Sequence, residues 1–356
     1  MSDQNNTVNM QGAICPVPLR HYEKIVMGHG SGGRMTQELI QQCFMPYLSN
    51  PALSASNDFA DLANSTGKRI AVSTDSHIVS PLVFPGGDIG RLSVCGTVND
   101  VAMSGAKVAG LTAGFILEEG LSTDLLQQIV KSMAEAAAEA GVAIVAGDTK
   151  VVERGKADGL FITTSGIGFY EQNYKIGGAE AKPGDLVLIS GTLGDHGIAV
   201  LTARGELEFE TQIKSDVAPL NAMIQQVLAA APHTHVLRDP TRGGLATTLN
   251  EIAEQSQVNI TIEENTVPVK PDVQAACEML GFDALYVANE GKLIVIVPEN
   301  EAQAALQALQ VNPYGHDARI IGRVNSTPAG RVLLKTQIGA TRVLDVMAGE
   351  MLPRIC

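Results

Sequence analysis

Three observations predict an α/β protein of the α+β type, built from two domains and ending in a flexible tail. The chain has 356 residues, more than one core of ordinary size accommodates. Apolar segments of strand length alternate with segments of helical periodicity, in a composition that is 45% hydrophobic and 18% charged. A turn-rich stretch ending at Lys182-Pro183-Gly184-Asp185 separates two such series and reads as the joint between domains.

Residues 1–22 lack periodicity, and Pro16 and Pro18 beside Cys15 disfavour helix, so this part reads as an N-terminal arm or disordered extension. The first domain is placed at 23–180. Within it, Met35, Leu39, Ile40, Cys43, Phe44 and Tyr47 recur at helical spacing to Leu48, directly after the glycine-rich segment Gly28 to Gly33. Arg69 to Ser73 reads as a strand. Ile89 to Gly105 reads as a helix with Asp88 as its N-cap, and Ser122 to Ala140 as a second helix with Leu125, Ile129 and Met133 on one face. Val142 to Ala146 has the composition of a buried strand, and Gly159 to Gly168 is strand-like. The second domain, 181–345, opens with a strand at Leu186 to Ser190 and a glycine-rich turn through Gly197. It continues with helices at Pro219 to Ala230 and Gly243 to Ser256 and strands near Leu293 to Val297. Residues 346–356 have no periodicity and read as a mobile tail carrying Cys356.

Composition narrows the function. A formal net charge of -13 opposes binding to nucleic acid and to anionic lipid, leaving small molecules and proteins as partners. No apolar run approaches a membrane span and the first residues lack an export signal, so a cytoplasmic protein is expected. Five cysteines, Cys15, Cys43, Cys95, Cys277 and Cys356, show neither disulfide nor zinc spacing and fit a reducing compartment.

Gly28-His29-Gly30-Ser31-Gly32-Gly33 precedes a helix and has the composition to lay N–H groups against phosphate, although a plain helix-start turn explains it equally well. It lacks the Gly-Lys-Ser/Thr ending of a Walker loop. Asp75, Asp100, Asp148 and Asp239 fall at or near the ends of predicted elements. Each alone serves as a turn or cap residue. If they converge, mutual repulsion requires divalent cations, and Mg²⁺ takes carboxylates together with nucleotide phosphates. His196 is assigned to a turn.

The ordered segments Gly28 to Gly33, Ser73-Thr74-Asp75-Ser76, Phe84-Pro85-Gly86-Gly87, Thr97-Val98-Asn99-Asp100, Gly147-Asp148-Thr149-Lys150 and Arg238-Asp239-Pro240-Thr241-Arg242-Gly243-Gly244 resemble the HypE family of hydrogenase maturation proteins, among the PurM-like ATP-using synthetases. Ala288-Asn289-Glu290-Gly291-Lys292 and Pro353-Arg354-Ile355-Cys356 extend the match from about Ile25 to the end. The resemblance implies a two-domain PurM-like fold with mixed sheets flanked by helices, and a homodimer formed through the first domain's sheet. It also implies ATP and Mg²⁺ near the dimer interface. It makes Asp75, Asp100, Asp148 and Asp239 metal candidates, and Gly30, Ser31, Gly32, Gly33, Thr149 and Lys150 nucleotide-binding candidates. Cys356, Lys150 and Glu290 become candidates for the chemistry: the thiol as nucleophile and carrier, the lysine for phosphoryl charge, the glutamate as base. A salt bridge of Glu290 to Lys292 is the competing reading for that carboxylate. The implied reaction is the ATP-dependent dehydration of an S-carbamoyl group on Cys356 to a thiocyanate, with HypF as carbamoyl donor and the HypC–HypD complex as cyano acceptor. Two alternatives are a selenophosphate synthetase-like enzyme, for which Cys15 lacks the expected neighbours, and a noncatalytic thiol carrier.

Overall fold

In the computed structural model, residues 25, 27–30, 33–63, 69–205 and 212–346 are described; the arm, Ser31, Gly32 and Cys356 lie outside them. The helix expected over Met35 to Leu48 is broken into α1 (Arg34–Leu39), a π turn over Ile40–Phe44, and α2 (Met45–Leu48). Pro46 has no N–H for the preceding turn, and the ladder shifts upstream of it. Ile40, Phe44, Tyr47 and Leu48 are exposed rather than forming a buried stripe. Asn50 caps the short α3 (Pro51–Ser54).

The first sheet is formed by β1 (Ala60–Ala63), β2 (Arg69–His77), β5 (Lys107–Glu118), β6 (Ile144–Val152) and β7 (Leu160–Phe169), in the order β1-β2-β7-β5-β6; β3 (Val83–Phe84) and β4 (Gly87–Asp88) make a separate hairpin. Only β5 and β6 pair in parallel, joined by α5 (Thr123–Ala140), so the sheet is mixed. Lying against one face is α4 (Ile89–Met103), with 13 of its 15 residues buried, which is why it shows no amphipathic pattern. Asp88 caps it by accepting from the Arg91 N–H. Gly90 admits α5: a Cβ there would stand 2.3 Å from the Ile129 carbonyl oxygen.

Two strands differ from the sequence expectation. The strand β5, between β7 and the edge strand β6, was not anticipated, because Ala109, Gly110, Ala113 and Gly114 erase the alternation that marks a half-buried strand. Val142 to Ala146 is not a buried strand: β6 begins at Ile144, runs to Val152 along the sheet edge, and leaves Val145 and Val151 about 70% and 69% exposed. As a result Asp148 stands within an edge strand, and Asp75 likewise stands within β2 rather than after it.

The second domain comprises β8 (Leu186–Ile189), α6 (Asp195–Ala203), α7 (Asn221–Ala230), β9 (Val236–Arg238), α8 (Gly244–Ser256), β10 (Asn259–Glu263), α9 (Pro271–Leu280), β11 (Ile294–Val297), α10 (Ala302–Gln310), β12 (Arg319–Asn325), β13 (Arg331–Lys335) and β14 (Thr341–Leu344). Its sheet runs β14-β13-β10-β12-β8-β11-β9. β11 is apolar throughout because both of its faces are covered. Val295 and Val297 join a core shared with α4, α7 and α10, while Ile294 and Ile296 pack into a second core with α8. Burying each such side chain contributes roughly 1.5–3 kcal/mol. The shared core therefore fixes the two domains against each other. His196, expected in a turn, is the second residue of α6, fully buried, with its Nδ1 2.8 Å from Ser215 Oγ.

Candidate active site

The alternation of β2 turns Ser73, Asp75 and His77 toward α4. From α4, Gly96 and Asp100 sit one turn apart facing β2, and Ser73 Oγ donates to Asp100 Oδ2 at 2.7 Å. Gly96 leaves the room that His77 needs, since a Cβ there would lie 2.9 Å from the imidazole Cε1. The second domain supplies Asp239 immediately after β9, Thr247, Thr248 and Glu251 from the first two turns of α8, and Glu290 from the turn before β11. These groups line one cavity of about 300 Å³ between the domains, together with Asp58, Arg238 and Arg242.

Arg238, buried, ties the halves together: its guanidinium meets Asp58 of the first domain at 2.6 Å and Glu251 of α8 at 2.8 Å. Asn289 secures the neighbouring turn by donating to the Pro240 carbonyl at 2.9 Å. Arg242 donates to the Gly30 carbonyl at 2.9 Å, which attaches the glycine-rich segment to the cavity rim. Gly33 precedes α1 in extended conformation.

Carboxyl groups crowd this space. Burial, then the charges of Asp239, Asp58 and Asp75, push Asp100 well above the ordinary range. Asp239 is raised to about 8 by burial and Asp58, against the pull of Arg238. Asp58 is raised to about 6, again chiefly by burial. Glu290 is raised well above its usual value by burial and by Asp75, Asp239 and Asp216. Burial lowers His77, so its imidazole is neutral near pH 7. Such a set is stable as carboxylates only when positive charge enters the cavity.

That chemistry fits Mg²⁺ accompanied by a nucleotide. Among the described residues, no group of three or more His, Cys, Asp or Glu side chains holds a metal ion by itself. This agrees with the habit of Mg²⁺ of taking one or two carboxylates and completing its shell with water and phosphate oxygens. Thr247 Oγ1, buried on the cavity wall without a hydrogen-bond partner, is an orphaned polar atom of the kind a ligand satisfies.

Of the sequence candidates, Asp75, Asp100, Asp239 and Glu290 converge here. Asp148, Thr149 and Lys150 do not: they lie on exposed β6, where Asp148 pairs with Lys150 and accepts from the Thr149 N–H at 2.9 Å. Lys292 does not pair with Glu290. Its ammonium meets Asp216 at 2.9 Å, and the salt-bridge reading of Glu290 falls with that contact. Asp58, His77, Thr247, Thr248 and Glu251 were missed as site residues. The last three carry a readable signal, polar residues at helical spacing after Gly243-Gly244 on the face opposite apolar Leu245, Leu249 and Ile252. Asp58 carries none.

Among the described residues no helix is long and apolar enough to cross a membrane. The sequence matches the N-terminal domain of AIR synthase related proteins over residues 56–170 and the C-terminal domain over 182–335. A carbamoyl dehydratase HypE of Cupriavidus necator is 55% identical over 333 residues, covering 94% of this chain and 95% of that one. Two solved structures align closely. A HypE–HypF complex matches with a TM-score of 0.83 at 51% identity over 87% of this chain and 99% of the other. HypE in complex with ATP matches with a TM-score of 0.79 at 50% identity over 92% and 98%. With both domains matched and over half the residues identical along nearly the whole length, this chain belongs to the carbamoyl dehydratase HypE family.

Proposed function

We propose that the chain is a cytoplasmic carbamoyl dehydratase of hydrogenase maturation, converting an S-carbamoyl group on Cys356 to a thiocyanate at the expense of ATP. The single observation that carries this reading is the cavity in which Asp75 and Asp100 of one domain face Asp239 and Glu290 of the other. It joins a cation-demanding surface suited to a triphosphate with one raised carboxyl suited to proton transfer. HypF is the carbamoyl donor in this reading and the HypC–HypD complex the cyano acceptor.

The chemistry follows from the leaving group. An amide oxygen departs poorly, so the carbamoyl oxygen attacks the γ-phosphorus of ATP and the bond to the β,γ-bridging oxygen breaks, releasing ADP. Both protons of the nitrogen must go: the O-phosphorylated intermediate gives one to solvent, becoming an imidate, and Glu290 takes the second as the C–O bond breaks, phosphate leaves with that bonding pair, and the carbon–nitrogen triple bond forms. Mg²⁺ would be held by one or two of the carboxylates of Asp75, Asp100 and Asp239 together with nucleotide phosphate oxygens, and would neutralise phosphate charge there. Arg242 holds Gly30 at the rim of the nucleotide cavity through its carbonyl; Gly30 and Gly33 are the described candidates of the glycine-rich segment for the nucleotide, and Ser31 and Gly32 lie outside the described residues.

Asp148, Thr149 and Lys150 enter this scheme through a homodimer. The first sheet exposes Ile116, Val145, Ile167 and Phe169 on the face that carries Lys150, an apolar surface that a second copy is suited to cover. Packing of the two sheets then brings Lys150 of one subunit to the nucleotide of the other, where it spreads phosphoryl charge. The test is mass spectrometry of the C-terminal peptide after cyanate has carbamoylated its thiol, with and without Mg-ATP and beside Cys356→Ala. Loss of one water at Cys356 only with ATP supports the reading; a carbamoyl group that persists in ATP-bound protein overturns it.

A further inference from the structure

The turn that carries Glu290 is held from both sides by groups outside the cavity. Asp216, buried in the loop between α6 and α7, accepts the Glu290 N–H on Oδ1 at 3.0 Å. Asn99, adjacent to Asp100 on α4, donates through Nδ2 to the Glu290 carbonyl at 3.4 Å and to the Ala218 carbonyl at 3.0 Å, and accepts from the Leu220 N–H at 2.7 Å. The next residue has no freedom either: a Cβ on Gly291 would stand 1.8 Å from the Asp216 carbonyl oxygen and 3.0 Å from the Ala218 nitrogen. The peptide before Glu290, the peptide after it and the following residue are all fixed by the segment 216–220.

That segment is in turn secured by the first domain. The Ser215 N–H donates to the Pro85 carbonyl at 2.7 Å, and Arg91 Nε donates to the Val217 carbonyl at 3.0 Å. Gly86, at φ +93°, leaves just enough space for the Ser215 backbone. A buried carboxylate costs several kcal/mol in desolvation, and Asp216 is compensated by Lys292, whose ammonium lies 2.9 Å away as an ion pair without well-directed hydrogen bonding. An ion pair kept only for stability is replaceable by apolar packing. Here the other carboxylate oxygen is committed to the backbone of the proposed base.

We propose that Asp216 is a positioning residue for the dehydration step, fixing the Glu290 turn through the Glu290 N–H so that its carboxyl meets the carbamoyl nitrogen in one orientation. The inference rests on the reading of Glu290 as the base. A displacement of about 1 Å at a reacting group costs up to about 100-fold in rate. Binding of ATP, which touches neither Asp216 nor Lys292 in this reading, is unaffected.

The test uses full-length protein carbamoylated at its tail thiol, and reads the rate of water loss at saturating Mg-ATP and the ATP concentration giving half that rate. D216A/K292M and D216N/K292M both remove the buried charges, and only the second keeps an oxygen facing the Glu290 N–H. D216A/K292M is expected to slow the step about 10–100-fold with the half-saturating ATP concentration within about twofold, and D216N/K292M to regain most of that loss. Introduced into the E290Q protein, D216A/K292M is expected to slow the reaction no further, because the base it positions is gone. D216S/K292M, whose hydroxyl is too short to reach the N–H, replaces the alanine form if that does not fold. Equal rates for the alanine and asparagine forms, or the same slowing in the E290Q background, overturn the positioning role while leaving Glu290 as base. Full speed in E290Q alone overturns the base reading, and the positioning role with it.

Discussion

Asp239→Asn is expected to make the nucleotide-free protein more stable at pH 8 while impairing its reaction. Asp239 is buried beside Asp58 and is raised to about 8, so the folded state favours the neutral carboxyl that the unfolded chain gives up near pH 4. The direction follows: the stability associated with this group is fully present below about pH 4 and is lost as pH rises through about 8, because the folded state binds the extra proton across that window. At about 1.4 kcal/mol per pH unit, the interval sets a ceiling of about 6 kcal/mol. Asp58 shares the same repulsion and is itself raised to about 6, which accounts for about half of this ceiling and leaves about 3 kcal/mol for Asp239 alone. Asparagine has the same shape and no charge, so it removes this cost without opening a cavity.

For domains of this size, about 3 kcal/mol corresponds to a rise in Tm of about 6–12 °C. Thermal unfolding of wild-type and Asp239→Asn protein is compared at pH 8 and pH 5 without nucleotide, then at pH 8 with Mg-ATP. The variant melts higher at pH 8, and most of the gap closes by pH 5. In the proposed reading the wild-type carboxylate helps to hold the cation, so ligand linkage would favour the wild type and Mg-ATP is expected to narrow or reverse the order. An Asp239→Asn protein that melts below wild type at pH 8 without nucleotide would refute the reasoning, since it would mean that the charge is stabilised by the fold rather than strained within it.

Two further predictions concern the backbone near Glu290 and the position of Lys150. Gly291→Ala puts a methyl group into the Asp216 carbonyl, so it destabilises by about 3 kcal/mol or more, read as a fall in Tm or loss of soluble protein; a Tm within 1 °C or so of wild type would contradict the tight approach. If Lys150 serves the partner's cavity, K150A and E290Q are each slow alone, yet subunits mixed and re-equilibrated regain about a quarter of wild-type activity, the statistical share of intact sites. No recovery on mixing, with subunit exchange verified, would place Lys150 and Glu290 in sites of the same subunit or leave the lysine outside the reaction.

The division of site residues between legible and hidden has a physical cause. Asp100 and Asp239 were legible as acidic residues near the ends of predicted elements and beside glycine-containing motifs, whereas Glu290 was reached only through the family resemblance of the segment Ala288 to Lys292. The helix α4 was legible in extent and cap, while its burial on every side was not, because its environment is created by β2, α5 and α7, elements distant in sequence. Asp58 and Asp216 were hidden for the same reason: their partners, Arg238 and Lys292, lie 180 and 76 residues further along the chain, and no local period encodes either pairing. Asp148, Thr149 and Lys150 show the limit from the other side. Their motif is as recognisable as any in the chain, yet folding of one subunit leaves them on an exposed edge. The sheet face that carries this Asp–Lys pair also exposes apolar Ile116, Ile167 and Phe169, a surface suited to cover by a second copy. In the proposed homodimer that part of the site would be completed by the assembly, so a motif legible as chemistry would find its place only against a second copy, which the K150A and E290Q mixing experiment tests.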